Sequence, residues 1–160
     1  MAGLVDADED SARITFPPPF IYLGVLLIGL LADWLLGLSL PVAVAVRIAV
    51  LVALLLAGAA LLLAAQNHFS RAGTDAKPWK ASRTIVERGI YAFTRNPMYL
   101  GMALIYLGLA IALVSLSALV LLPLLLVAVQ TQVIAREERY LEGKFGDDYR
   151  AYKARVRRWF

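Results

Sequence analysis

Apolar positions gather in four runs, near residues 20–38, 41–65, 98–114 and 118–135, and polar positions collect between them. The first run is long enough to cross a hydrocarbon core. Pro17-Pro18-Pro19 stiffens its entry, and the uncharged stretch from Gly37 to Pro41 reads as a tight turn into the second run. No charged residue occurs from Met98 to Ala135. As a single helix that stretch would be roughly 57 Å long, nearly twice the bilayer core, so it divides into two spans. Ser115-Leu116-Ser117 is the best turn, and Pro123 is placed to kink the fourth span. The pattern predicts an all-α polytopic membrane protein with four transmembrane helices in one membrane domain over residues 1–160.

Finer periodicities add contacts to this outline. Ala45, Ala49, Ala53 and Ala57 recur at four-residue steps, a smooth stripe that predicts close approach of a neighbouring helix. Asp33 and Arg47 lie at similar depth on either side of the first turn, which predicts an intramembrane ion pair. Residues 66–97 form a long polar loop, yet Ile85, Val86, Ile90, Tyr91 and Phe93 give it enough apolar material to fold against the bundle. In residues 136–160, Leu141, Phe145, Tyr149, Tyr152, Val156 and Trp159 recur at three- and four-residue steps. That predicts a C-terminal amphipathic helix lying at the interface or docking on the loop, broken near its start by Gly143 and Gly146. Residues 1–16 are polar and acidic, free at their extreme end and unlike a signal peptide.

Composition narrows the chemistry. The chain is 61% hydrophobic, well above a soluble domain. It has no cysteine and a single histidine, His68, so thiolate chemistry is excluded and a histidine metal site is not expected. The net charge of +4 comes from basic residues flanking the spans, where anionic headgroups and not nucleic acid are the natural partners. Lys and Arg crowd the loop and the tail and are missing from the two short turns. The positive-inside rule then puts loop and both termini in the cytoplasm, in a bacterial or archaeal inner membrane.

The candidate site is the re-entry from the loop, Arg95-Asn96-Pro97-Met98-Tyr99-Leu100-Gly101. Asn followed by Pro is a helix-start signal, with Asn at N-cap and Pro at the first helical position. The free N–H groups of such a start, with Arg95 beside them, suit an anionic group. Glu137 and Glu138 emerge from the fourth span close by, and adjacent helical residues point about 100° apart, so only one can face a given site. The alternative is a solvated run paired with Arg136 and Arg139.

Gly89-Ile90-Tyr91, the motif at 95–101, Glu137-Glu138, and Phe145-Gly146 followed by Tyr149 and Tyr152 together resemble the isoprenylcysteine carboxyl methyltransferase and phospholipid methyltransferase family. The match covers residues 83 to 159, and the first two spans resemble the family only in hydropathy. The resemblance implies a small integral-membrane enzyme using S-adenosyl-L-methionine, with a cytoplasmic cofactor-binding loop and a lipophilic or lipid substrate. It implies cofactor contacts at Arg83, Thr84, Ile85, Val86, Gly89, Tyr91, Asn96, Pro97, Met98, Tyr99, Glu137 and Glu138. Arg95, Asn96, Tyr99 and Glu137 become the candidate catalytic residues.

Two departures bear on the acceptor. The family's usual His before Pro is Asn96, which keeps a hydrogen bond and loses titration. An Arg that contacts substrate in the eukaryotic prenylcysteine enzymes is Val133 here, which disfavours a prenylcysteine carboxylate. The acceptors in view are an isoprenylcysteine-like carboxylate, a phospholipid amine, or a small thiol or acid. The competing readings are a non-catalytic four-helix membrane scaffold or lipid-binding protein, and a reductase akin to the larger sterol enzymes. Binding of S-adenosylhomocysteine separates the first of these from an enzyme.

Overall fold

A computed structural model of the chain describes residues 8–14 and 16–159. Its described elements are all helical. The first, α1 (Pro18–Leu36), starts with proline in its first turn, where no backbone donor is needed. It stops at Gly37, whose left-handed φ of 67° lets the N–H groups of Gly37 and Leu38 turn back to the Asp33 carbonyl. α2 (Val44–Arg71) follows, then a short 3-10 turn at Gly89–Ala92, α3 (Pro97–Ala112) and α4 (Leu116–Val129). A π turn at Gln130–Ile134 joins α4 to α5 (Ala135–Phe145), and α6 (Asp147–Arg155) completes the order.

The four-span expectation is corrected, among the described residues, to three helices long and apolar enough to cross a membrane: Pro18–Leu36, Val44–Arg71 and the continuous Leu116–Phe145. α3 is apolar but has 16 residues. Pro97 fixes its start, and Val114, held at a φ of 53°, turns the chain just past its end. At roughly 24 Å it falls short of a core of about 30 Å. α2 runs on to Arg71, so the polar loop begins later than residue 66. Pro123 lies inside α4 without ending it, and Ser115 caps α4 by accepting the Ala118 N–H at 3.1 Å.

Helix pairing also departs from the hydropathy outline. α1 packs on α4 and α2 on α3, while α1 and α2 scarcely touch despite their short connection. Ala45, Ala49, Ala53 and Ala57 all face outward, so the predicted stripe is not the contact. Glycines make it instead. A Cβ on Gly58 would stand 2.6 Å from the Gly101 carbonyl oxygen, and one on Gly101 would stand 2.9 Å from that of Gly58. Only bare backbone allows this crossing.

The expected ion pair between Asp33 and Arg47 is absent. Asp33 accepts hydrogen bonds from the Ser115 hydroxyl and, at 3.0 Å, from the Ser117 N–H. Arg47 donates through Nε to the Ala112 carbonyl at 2.8 Å, with Nη2 on the same oxygen. Because α1 and α2 splay, each charge reaches the α3–α4 turn rather than the other. The carboxylate sits at the positive start of α4 and the guanidinium at the negative end of α3, where helix dipoles favour them.

The tail is two helices. Gly143 lies within α5 and does not break it, whereas Gly146, at a φ of 56°, ends it. Tyr149, Tyr152 and Val156 then pack with Ile85, Leu141 and Phe145, so the tail docks on the loop. Trp159 joins the main core and donates to Gln130 at 2.8 Å.

Candidate functional site

Gly89 opens the short 3-10 turn that carries Tyr91. Its φ of 62° favours glycine, and a Cβ there would stand 2.0 Å from the His68 ring, which would have to swing aside. Tyr91 is buried, and its ring meets Phe69 of α2 edge-on at 5.4 Å. The Tyr91 carbonyl accepts the Tyr152 hydroxyl at 2.8 Å. Burial first, then the neighbouring Tyr152 and Glu137, pushes the Tyr91 phenol well above its usual range. Tyr149 and Tyr152 are pushed up chiefly by burial as well, so all three stay protonated.

Asn96 occupies the N-cap position of α3, but its side chain does not cap. It donates to the Arg158 carbonyl at 3.0 Å, joined there by the Thr94 hydroxyl at 3.1 Å. The Arg95 N–H donates to the Arg157 carbonyl at 3.1 Å. The re-entry motif is therefore stitched to the last residues of the tail.

The two glutamates divide as adjacent helical positions must. Glu138 is 9% exposed, held by Arg95 at 3.0 Å and by Arg158 through Nε at 3.0 Å and Nη2 at 2.5 Å. Glu138 in turn holds the Arg158 guanidinium above its ordinary value. Arg95 also donates to the Lys153 carbonyl at 3.0 Å, and its buried Nε has no partner among the described residues. Glu137 accepts the Tyr99 hydroxyl at 2.6 Å. Pairing with Arg136 and Arg139 does not occur: Arg136 turns to Gln132 and Arg139 to the Ala135 carbonyl.

Both glutamates line a cavity of about 500 Å³. Of the sequence-predicted residues, the loop contributes Thr84, Ile85, Val86 and Tyr91 to its wall. Arg95, Asn96, Met98 and Tyr99 line it from the re-entry motif. Arg83, Gly89 and Pro97 lie outside that wall; the Arg83 N–H is held by Thr74 at 2.9 Å, and Pro97 is buried. The cavity continues as an apolar limb along α3 to Leu109, flanked by Leu23 and Leu26 of α1 and Leu62 of α2. Tyr22 and Tyr106 meet in this limb at 6.3 Å, with hydroxyls spent on the carbonyls of Tyr99 and Ala118. Sequence reasoning missed these two tyrosines, and also Trp79 and Tyr140 at the polar end. Two tyrosines within otherwise aliphatic runs were the available signal.

A model of the phospholipid methyltransferase family matches residues 46–148, more than half the chain. This chain belongs to the phospholipid methyltransferase family. The match takes in nearly all of α2. An uncharacterised protein of Haemophilus influenzae is 54% identical over 63 residues, 39% of this chain and 98% of that protein. The protein-S-isoprenylcysteine O-methyltransferase of Schizosaccharomyces pombe is 38% identical over 72 residues, 45% of this chain and 30% of the yeast protein. No solved structure matches the chain.

Proposed function

We propose that this protein is an integral-membrane methyltransferase that takes S-adenosylmethionine at the polar end of its cavity and a lipophilic acceptor along the apolar limb. The observation that carries this reading is the continuity of the two compartments past Tyr99 and Glu137. A volume near 500 Å³ lies within the range of small-molecule sites. The residues fit such a cofactor: Glu137 accepts one protein hydrogen bond, from Tyr99, which leaves a carboxylate oxygen for a hydroxyl or ammonium group.

When bound, the cofactor supplies an electrophilic methyl on a sulfonium. Tyr91 and Tyr99 offer aromatic faces beside a cation, each worth on the order of 1 kcal/mol. Thr84, Ile85 and Val86 form the loop wall, while Asn96 and Arg95 hold motif and tail together. Gly89 and Pro97 act by setting the backbone that carries Tyr91, Met98 and Tyr99. Tail docking through Tyr149 and Tyr152 excludes water from the reacting end.

The splay between α1 and α2 gives the apolar limb a side facing lipid, so the acceptor enters from the bilayer while the cofactor enters from water. The basic loop and tail support a cytoplasmic position for the polar end, by the positive-inside rule. Val133 is buried in the core and Arg136 turns to Gln132, so the position that matches the prenylcysteine enzymes' substrate-contacting Arg supplies no cation. The acceptor is selected by its apolar chain. Incubation with methyl-labelled S-adenosylmethionine and membrane extract should yield a labelled, organic-extractable product that Glu137→Ala abolishes. Absence of any labelled lipophile with the intact protein would refute the reading.

A further inference from the structure

We propose that residues 8–14, the segment ahead of α1, form an ion-pair-latched gate over the polar end of the cavity, through which the water-soluble cofactor enters and leaves. The proposal rests on the reading of that end as the cofactor site. Ala12 lines the cavity beside Trp79, Lys80 and Tyr140. Two residues on, Ile14 is buried in the main core. Between them Arg13 holds a φ of 52°, a left-handed conformation that residues with a side chain rarely adopt. The segment is thus firmly anchored at one end.

Its other end is held at the surface. Asp8 donates its N–H to the Trp79 carbonyl at 2.9 Å and accepts from Lys80 Nζ at 3.0 Å and the Ala81 N–H at 3.1 Å. Asp10 pairs with Lys144, and its carbonyl accepts the Tyr140 hydroxyl at 3.0 Å. That hydroxyl accepts the Ser82 N–H at 3.0 Å, so Tyr140 ties segment, loop and α5 at one point of the cavity wall. Exposure is 37% and 40% for the side chains of Lys80 and Asp8, and 26% and 62% for those of Lys144 and Asp10. Pairs so exposed are weakened by salt, whereas the Ile14 anchor is not. Once the ion pairs loosen, the wall between loop and α5 is closed by neutral hydrogen bonds through the Trp79 carbonyl and the Tyr140 hydroxyl, which break far more readily than the Ile14 core contact.

The chain has no cysteine, so a single Ser82→Cys reports access to the cavity wall without background. In zwitterionic nanodiscs, a membrane-impermeant maleimide should label Cys at this position slowly at about 0.1 M salt. Labelling should be several-fold faster near 1 M, where the Debye length falls from about 10 to about 3 Å. Adding Asp8→Asn and Asp10→Asn should give the fast rate at low salt and abolish the salt dependence. Stopped-flow release of S-adenosylhomocysteine should follow the same order, with association and dissociation both accelerated and affinity changed less. Equal labelling rates in all conditions overturn the gate, and the salt series does so without substituting either aspartate. Salt-dependent labelling in a protein that binds no S-adenosylhomocysteine would refute the cofactor reading and leave the gate standing.

Discussion

Asp33 and Arg47 grip opposite sides of the same turn without touching each other. The carboxylate receives the Ser115 hydroxyl and the Ser117 N–H, and the guanidinium donates to the Ala112 carbonyl. Each therefore contributes charge-assisted hydrogen bonds of its own, worth about 1.5–3 kcal/mol apiece when lost. Asp33→Ala and Arg47→Ala should each lower thermal stability in detergent, and the double variant should be less stable than either single one. A direct ion pair would behave differently, because removing the second charge would relieve the stranded first. Recovery of stability in the double variant would contradict the geometry.

The crossing of α2 and α3 makes a second prediction. Gly58→Ala drives a methyl toward the Gly101 carbonyl, with the Ile105 side chain also within reach. Overpacking of this kind costs about 1–3 kcal/mol. Gly24→Ala, in α1 with nothing within 4 Å, should be neutral or mildly stabilising through helix propensity. Thermal unfolding of the two variants side by side checks the contrast.

The tail should be part of the folded site. Amide hydrogen exchange should show Tyr149 to Val156 protected, since Tyr149, Tyr152 and Val156 pack on Ile85 and Leu141. Truncation after Gly146 removes the carbonyls of Arg157 and Arg158 that hold the re-entry motif, and should abolish cofactor binding. Arg158→Ala is milder, because Glu138 keeps Arg95, and should destabilise by about 1 kcal/mol given the partial exposure of Arg158.

Local signals in the sequence were read well and distant ones poorly. Pro97 opens α3, Ser115 caps α4 and Gly37 closes the first helix, each through chemistry confined to a few neighbours. The Ala45 to Ala57 stripe misled because spacing gives a face without saying what covers it, and Gly58 with Gly101 does the packing. Asn96 followed by Pro signalled the helix start correctly, yet the Asn96 side chain serves the Arg158 carbonyl, a contact made across 62 residues. Hydropathy bounded α3 at 98–114, close to its observed 16 residues, and the error lay in counting so short a run as a full span. The π turn before Glu137 and the Asp8–Lys80 latch have no periodic signature at all.

The proposed cofactor site centres on Glu137 and Tyr91. Titration calorimetry of S-adenosylhomocysteine into the purified protein in nanodiscs tests it most directly. Binding in the micromolar range is predicted, weakened about tenfold or more by Glu137→Ala, which removes a charged hydrogen-bond acceptor, and also weakened by Tyr91→Ala. Both variants should still unfold cooperatively, at a lower temperature than the parent because Tyr91→Ala empties a buried aromatic site and Glu137→Ala strands the Tyr99 hydroxyl. No heat of binding with the intact protein, or an affinity unchanged in both variants, would contradict the account.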